Sequence, residues 1–146
     1  MWRDPVTVSL PSRRGGAIEV DTTRYPLVLQ RWCADPSTAE LDEYFTIADE
    51  IADYAIATNS YYAVVVSGSL HLSSAGRRYL GRWIDNVPRA RRRRTLGSYV
   101  VLSNHVVRGM LTALSWVSRN LADVFPVASE AEGIRLAQER IALGRS

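Results

Sequence analysis

Two serines lie in the part of this sequence that is best suited to bind a charged group. An apolar stretch at residues 61–66 is followed by small and polar residues that include Ser73, Ser74 and Gly76. Serines directly before an apolar helical pattern predict a helix N-terminus, where free N–H groups and the helix dipole favour an anion. The same physics would stabilise a phosphoserine, so this junction is a candidate phosphorylation or partner-binding site.

Two histidines could add a metal or ligand site. His71 and His105 each follow a predicted strand, and the carboxyl ends of parallel strands meet at one edge of a sheet, where ligands bind. With Cys33 or Asp35 they would offer imidazole, thiolate and carboxylate ligands to zinc. Their separation matches no short ligand motif, and the alternative is that both are loop or cap histidines. We expect no metal and no cofactor.

Catalytic motifs are absent from the sequence. Ser67-Gly68-Ser69 lacks the Gly-x-Ser-x-Gly pattern of a nucleophile elbow. The chain has no Gly-x-Gly-x-x-Gly, and a phosphate loop with lysine is excluded because lysine does not occur. We therefore expect a chain that is not an enzyme and that has no catalytic residues.

All eighteen basic residues are arginine, and they are unevenly distributed. A basic patch follows the serine junction: Arg77, Arg78, Arg82, Arg89, Arg91, Arg92, Arg93 and Arg94. An acidic block precedes it: Asp35, Glu40, Asp42, Glu43, Asp49, Glu50 and Asp53. If the two blocks lie on different faces, the molecule is strongly polarised, which suits head-to-tail association or a charged partner.

The basic run at residues 89–94 has several interpretations. It could contact phosphates, but the lack of interleaved aromatic residues disfavours nucleic acid. It could be a solvated loop, or it could dock onto an acidic surface such as the chain's own first helix. A GC-rich codon bias would also enrich arginine without any role in binding.

Composition places the chain among ordinary globular domains. It has 146 residues, 47% of them hydrophobic and 23% charged, which is enough to bury a core. The single cysteine, Cys33, excludes an internal disulfide and fits a reducing compartment. We expect a cytoplasmic protein, because the sequence shows neither a signal peptide nor an apolar run that could span a membrane.

Apolar periodicity predicts alternating strands and helices. Strands are predicted at residues 17–21, 27–33, 61–66, 96–102 and 123–128. Helices are predicted at 38–57 after a Ser37–Glu40 capping box, from Ser73 or Ser74 to the residue before Pro88, from Ser103 or Asn104 to about 117, and from a second box at Ser129 to Leu143. Residues 1–16 form a lead-in with a possible edge strand and a turn at 12–16, and residues 17–146 form the domain.

Strands that alternate with helices predict a parallel sheet with right-handed crossovers. The two opening strands are close in sequence and can pair antiparallel. We therefore predict one α/β domain with a mixed, mostly parallel sheet of four to six strands and about four helices, in the order β-β-α-β-α-β-α-β-α.

This order, together with the stretch Ser73-Ser74-Ala75-Gly76, resembles the bacterial STAS domain of anti-anti-sigma factors. In that family a motif close to Asp-Ser-Ser-Gly is phosphorylated on its first serine by a partner kinase. The resemblance implies that Ser74 matches this serine and Gly76 the motif glycine, with Ser73 in place of the aspartate.

Within this family the sequence resembles STAS-like proteins of unassigned role from GC-rich bacteria more closely than the anti-anti-sigma factors. The shared features are a proline-led strand at residues 25–29, an arginine-rich second helix and a third helix around residues 108–116. The similarity covers residues 17–143.

The resemblance implies a non-enzymatic, regulatory protein-binding module, of the partner-switching type, read at the start of its second helix. Its partner would be another protein or a second copy of the chain, such as in a homodimer. Two alternatives remain. The first is a protein that binds a small ligand or an anion, or an enzyme, and that uses His71 and His105. The second is a nucleic-acid-binding protein that uses residues 89–94.

Overall fold

The structure describes four stretches of the chain. In the computed structural model these are residues 10–33, 35–69, 72–102 and 124–144. They contain five strands, β1 (Ile18–Asp21), β2 (Leu27–Cys33), β3 (Tyr62–Ser69), β4 (Thr95–Val101) and β5 (Val124–Val127). They also contain four helices, α1 (Thr38–Thr58), α2 (Ser74–Asn86), α3 (Arg89–Arg92) and α4 (Glu130–Leu143). The helix predicted to begin at Ser103 or Asn104 lies outside the described residues.

The strands form one sheet in the order β1-β2-β3-β4-β5. β1 is antiparallel to β2, and the three remaining pairs are parallel. The central strand β3 is apolar on both sides because both sides are buried, with Val64 at 6% exposure on one side and Val65 at 1% on the other. The predicted α/β fold with a mixed, mostly parallel sheet is confirmed.

Helix α1 begins at the predicted capping box. The Ser37 hydroxyl accepts a hydrogen bond from the Glu40 N–H, and the Glu40 carboxylate accepts one from the Ser37 N–H. Asn59 ends the helix in the left-handed conformation. The apolar stripe of α1 is buried against the sheet, and its buried members are Leu41, Phe45, Ile51, Ala52 and Ala55.

Helices cover both faces of the sheet. On one face, α1 and α2 pack against alternate residues of the strands, among them Val28, Val64 and Val66. On the other face, α4 packs against Val65 and its neighbours. The α4 backbone approaches closely at Gly133, where an added Cβ would lie 3.1 Å from Val65 Cγ1. The domain therefore has two apolar cores separated by one sheet.

The basic run differs from its predicted form. Helix α2 ends at Asn86 with Val87 as its C-cap, as expected from the proline at position 88. A solvated loop was one interpretation of this run; the run is largely exposed, but residues 89–92 form the short helix α3. Proline is well suited to a helix start and arginine to a helix interior, and α3 also contacts α1.

The second capping box is present in altered form. Ser129 accepts a hydrogen bond from the Glu132 N–H, as predicted. Glu132, however, accepts from the N–H of Ala128 rather than from that of Ser129. Gly144 ends α4 with a positive φ, in agreement with the sequence pattern.

The two ends of the described sheet are different in character. Beside β1, Arg13 forms an antiparallel bridge with Val20 across a turn that contains Gly15 and Gly16, both with positive φ. At the opposite end, the Val127 carbonyl accepts from the Leu102 N–H of the connection after β4. Residues of a strand alternate between its two sides, so the nitrogen of Pro126 lies on the outer side of β5.

Within the described residues, no helix is both long enough and apolar enough to cross a membrane.

Candidate functional site

The connection between β3 and α2 places the predicted serines at the start of a helix. Ser73 has extended backbone angles, and its hydroxyl accepts a hydrogen bond of 3.0 Å from the Gly76 N–H. Ser73 is therefore the N-cap of α2, and its side chain has a structural role. Gly76 is buried, and an added Cβ there would lie 3.3 Å from Ser73 Oγ.

Ser74 is the first residue of α2 and its side chain is exposed. One guanidinium nitrogen of Arg77 donates to Ser74 Oγ over 3.1 Å, and another donates to the Leu72 carbonyl over 3.0 Å. The Ser74 hydroxyl thus lies beside a fixed cation at the positive end of a helix dipole. This arrangement favours added negative charge at Ser74.

Asp35 joins this site from the neighbouring strand. β2 and β3 run side by side in parallel, with Cys33 opposite Ser69, so their carboxyl ends lie at the same edge. Asp35 Oδ1 accepts a hydrogen bond of 3.1 Å from the Ser73 N–H. The carboxylate interacts favourably with the helix N-terminus and fixes the start of α2 relative to β2.

Other residues at or near this edge of the sheet differ in their surroundings. Cys33 is partly buried, and Ser67 Oγ donates a long hydrogen bond of 3.4 Å to the Gln30 carbonyl. His71 and His105 lie outside the described residues. In the part of the chain that the structure describes, no group of three or more His, Cys, Asp or Glu side chains could hold a metal ion.

The solvent side of α2 carries part of the predicted basic patch. Ser74, Arg78 and Arg82 are all exposed and follow one another at four-residue intervals, which places them on one side of the helix. Among the described residues, neither Arg78 nor Arg82 forms an ion pair. Arg89 and Arg93, in and directly after α3, are also exposed.

Arg91 instead faces the acidic helix α1. It donates to both carboxylate oxygens of Asp53, over 2.9 and 3.1 Å, and a third nitrogen lies 3.3 Å from Asp49 Oδ1. Burial raises the pKa of Asp49 above its usual value, although Arg91 acts in the opposite direction. The interpretation that the basic run docks onto the chain's own first helix is confirmed for Arg91.

Two further arginines also bind the chain itself. Arg92 Nε donates to the Val87 carbonyl over 3.1 Å. Arg94 donates to Asn59 Oδ1 over 3.2 Å, and its guanidinium carbon lies 4.9 Å from the ring centre of Tyr61. The predicted basic patch therefore consists of arginines that hold the fold together and arginines that face solvent.

The acidic and basic blocks lie next to each other, not on opposite faces of the molecule. α1 contacts α2 and α3, and Arg91 joins the blocks directly. The condition for a strongly polarised molecule is therefore not met. The tertiary structure brings the blocks together, because α1 and α2 connect successive parallel strands on the same face of the sheet.

An aromatic contact between α1 and α2 was missed by the sequence analysis. The rings of Phe45 and Trp83 stack with centroids 4.6 Å apart and planes 5° apart. Tyr79 packs on the same Phe45 ring at 5.7 Å and donates its hydroxyl to Asp42, a hydrogen bond that raises the pKa of Tyr79. The signal in the sequence was the four-residue spacing of Tyr79 and Trp83.

The fold and this surface define an α/β domain with a serine-started, arginine-lined helix on one face of a mixed sheet. Comparison with protein-family models, with curated proteins and with solved structures finds no match to the chain.

Proposed function

We propose that this chain is a STAS-like regulatory module that works by binding a protein and not by catalysis. Its partner binds at the start of α2, around Ser73 and Ser74, and along the adjoining solvent side of the helix. The order of the described elements, with two strands before the first helix and the serine junction before α2, supports the resemblance on which this proposal rests. The module works in the cytoplasm, where Cys33 stays reduced.

The observation that carries the proposal is the contact between Ser74 and Arg77. The Ser74 hydroxyl is exposed at a helix N-terminus, 3.1 Å from a guanidinium nitrogen. A phosphoryl group on this hydroxyl would bring nearly two negative charges and three acceptor oxygens beside Arg77 and the helix dipole. Charge at Ser74 would change the surface that a partner meets while leaving the Ser73 cap intact.

The test is affinity capture from native cytosol, with and without nuclease, read by mass spectrometry. The unmodified chain is compared with Ser74→Asp, and the captured chain is searched for phosphate at Ser73 and Ser74. Ser129→Asp is the matched control, because it adds the same charge at the start of α4 on the other face of the sheet and retains a good cap.

We expect to capture a protein partner whose binding does not depend on nucleic acid. Ser74→Asp should weaken this binding by about tenfold or more, whereas Ser129→Asp should leave it unchanged. Equal capture of a protein partner by all three chains would contradict control at Ser74, and partners that disappear with nuclease would contradict the protein-binding function.

A further inference from the structure

Two guanidinium groups form a row on the solvent side of α2. Arg78 and Arg82 are exposed and four residues apart, so their Cα atoms are about 6 Å apart along the helix axis. The opposite side of the helix carries Leu80 and Trp83, which pack against the apolar core. The two cations are therefore directed away from the body of the domain.

Arg89 adds a third exposed cation beyond the end of α2. It is the first residue of α3, two positions before Arg91, which contacts α1. Two residues correspond to roughly 200° around a helix axis, so Arg89 is directed away from α1. We call Arg78, Arg82 and Arg89 the outer arginines.

The outer arginines differ from Arg91 in having no carboxylate partner. Across the described stretches, none of the ion pairs includes an outer arginine, whereas Arg91 contacts two carboxylates of α1. The only acidic residue of α2 is Asp85, which is exposed three positions after Arg82. One carboxylate among three guanidinium groups leaves this surface positive, and it therefore complements an acidic one.

The aromatic rings of α2 favour a protein over single-stranded nucleic acid as the occupant of this surface. Trp83 and Tyr79 each place a ring against Phe45, and the Tyr79 hydroxyl bonds to Asp42. Binding of single strands relies on rings that are open to stacking by bases. The rings next to the outer arginines are engaged in holding α1 and α2 together.

The contact of Arg91 with α1 shows the kind of surface that fits such arginines. Asp49 and Asp53 are four residues apart on one helix, and both contact Arg91. A helix that carries carboxylates at this interval matches the spacing of Arg78 and Arg82 when it lies along α2. Carboxylates also pair with guanidinium groups through two parallel hydrogen bonds.

We propose that the outer arginines bind an acidic helix of the partner protein. The partner helix lies along the solvent side of α2 and presents carboxylates at four-residue intervals to Arg78 and Arg82, with a further acidic group facing Arg89. This inference rests on the proposed protein-binding function and gives the chemical class of the partner surface.

The test uses defined probes, and fluorescence anisotropy reports their binding to the full chain. One labelled helical peptide carries glutamate at every fourth position, and a matched peptide carries glutamine there. A single-stranded and a double-stranded oligonucleotide are measured alongside, at low and at high salt. The variant R78Q/R82Q/R89Q removes the outer arginines, and R24Q/R31Q/R140Q removes three exposed arginines elsewhere with the same change in charge.

We expect the glutamate peptide to bind and the glutamine peptide to bind much more weakly. The variant R78Q/R82Q/R89Q should lower the affinity for the glutamate peptide by about tenfold. R24Q/R31Q/R140Q should bind like the unmodified chain. Failure of the glutamate peptide to bind, equal loss in both variants, or tighter binding of an oligonucleotide at the outer arginines would overturn the inference.

Capture from cytosol separates this inference from the proposed function. A protein partner that Ser74→Asp releases but R78Q/R82Q/R89Q retains would overturn the inference and leave the proposed function standing. A partner released by R78Q/R82Q/R89Q and unaffected by Ser74→Asp would support the inference and contradict control at Ser74.

Discussion

Arg91 holds Asp53 through two hydrogen bonds, one to each carboxylate oxygen, at 2.9 and 3.1 Å. The two residues belong to α3 and α1, so this contact joins the arginine-rich segment to the acidic helix. Planar pairs with two bonds are the stronger form of surface ion pair, and Asp49 adds a second carboxylate. Arg91 therefore links α3 directly to α1.

Replacement of Arg91 should destabilise the domain where replacement of its neighbour does not. We expect Arg91→Ala to lower the free energy of unfolding by about 1 kcal/mol at low salt and by less at high salt, because the pair is partly exposed. Arg89→Ala, in the same short helix, should change it by less than about 0.5 kcal/mol. Urea unfolding at both salt concentrations measures this, and equal effects of the two substitutions would refute the role of Arg91.

The charge on Asp49 should lower stability as pH rises. Burial holds its pKa above the ordinary value of 3.8, so the folded chain binds this proton more tightly than the unfolded chain does. Ionisation in the pH range just above 3.8 therefore costs folding free energy. Asp49→Asn removes this cost, and its stability relative to the unmodified chain should increase from acid to neutral pH. A relative stability that falls over this range would contradict the sign.

Gly68 should not tolerate alanine. Its φ is +96°, and an added Cβ would lie 2.2 Å from the backbone oxygen of Trp32 on the neighbouring strand. We expect Gly68→Ala to cost more than about 3 kcal/mol, since backbone strain and a clash with main chain add together. Gly15 has a φ of +80° with open space around it, so Gly15→Ala should cost only about 1 kcal/mol. Thermal or urea unfolding of both variants isolates the contribution of the clash.

Loss of the Gln30 side-chain amide should lower the free energy of unfolding more than loss of the Tyr44 hydroxyl. Gln30 is buried, and its Oε1 accepts from Trp32 Nε1 and from the Tyr44 hydroxyl, each over 3.2 Å. Gln30→Leu leaves two donors without a partner and should cost about 2 kcal/mol or more, whereas Tyr44→Phe removes one bond and should cost about 1 kcal/mol. Similar losses in the two variants would show that the buried donors find other partners.

Tyr44 should also make the domain sensitive to alkali. Burial raises the pKa of Tyr44 to about 12, although the hydrogen bond to Gln30 acts to lower it. An unfolded tyrosine ionises near its ordinary pKa of 10.0, so the unfolded state gains stability as pH rises from there towards 12. Absorbance of tyrosinate should show a late-titrating group that Tyr44→Phe removes, and titration of that group near 10 would contradict its burial.

The two serines at the start of α2 should have separable roles. Ser73→Ala removes the cap and should lower stability by about 1 kcal/mol. Ser74→Ala removes only an exposed contact with Arg77 and should change stability by less than about 0.5 kcal/mol. Urea unfolding distinguishes them, and an equal loss would show that Ser74 is part of the cap.

Features that depend on neighbours in sequence could be predicted from the sequence. The Ser37–Glu40 box, the Ser73 cap and the end of α2 before the proline involve residues within a few positions of each other. The parallel arrangement followed from the alternation of strands and helices. Within the candidate site, the pattern of small and polar residues was sufficient to place Ser73, Ser74 and Gly76 at the start of a helix.

Features that depend on distant residues could not be predicted in this way. The partner of Arg91 is 38 positions away, and nothing in a run of arginines indicates which one faces α1. Gly68 looks like an ordinary loop glycine until β2 is placed beside β3, where the Trp32 carbonyl occupies the space of a side chain. The short helix α3 likewise packs against α1, which the local pattern does not contain.

Pro126 limits how copies of this domain can associate. A strand arriving at the outer side of β5 would meet the carbonyl of Pro126 without an N–H beside it, so a continuous backbone ladder could not form there. Templated strand addition, the usual route from an open edge to fibrils, is therefore impeded at this side of the sheet. Association of two copies at this side of the sheet would therefore have to rely on side-chain contacts, which sequence changes can adjust without altering the sheet.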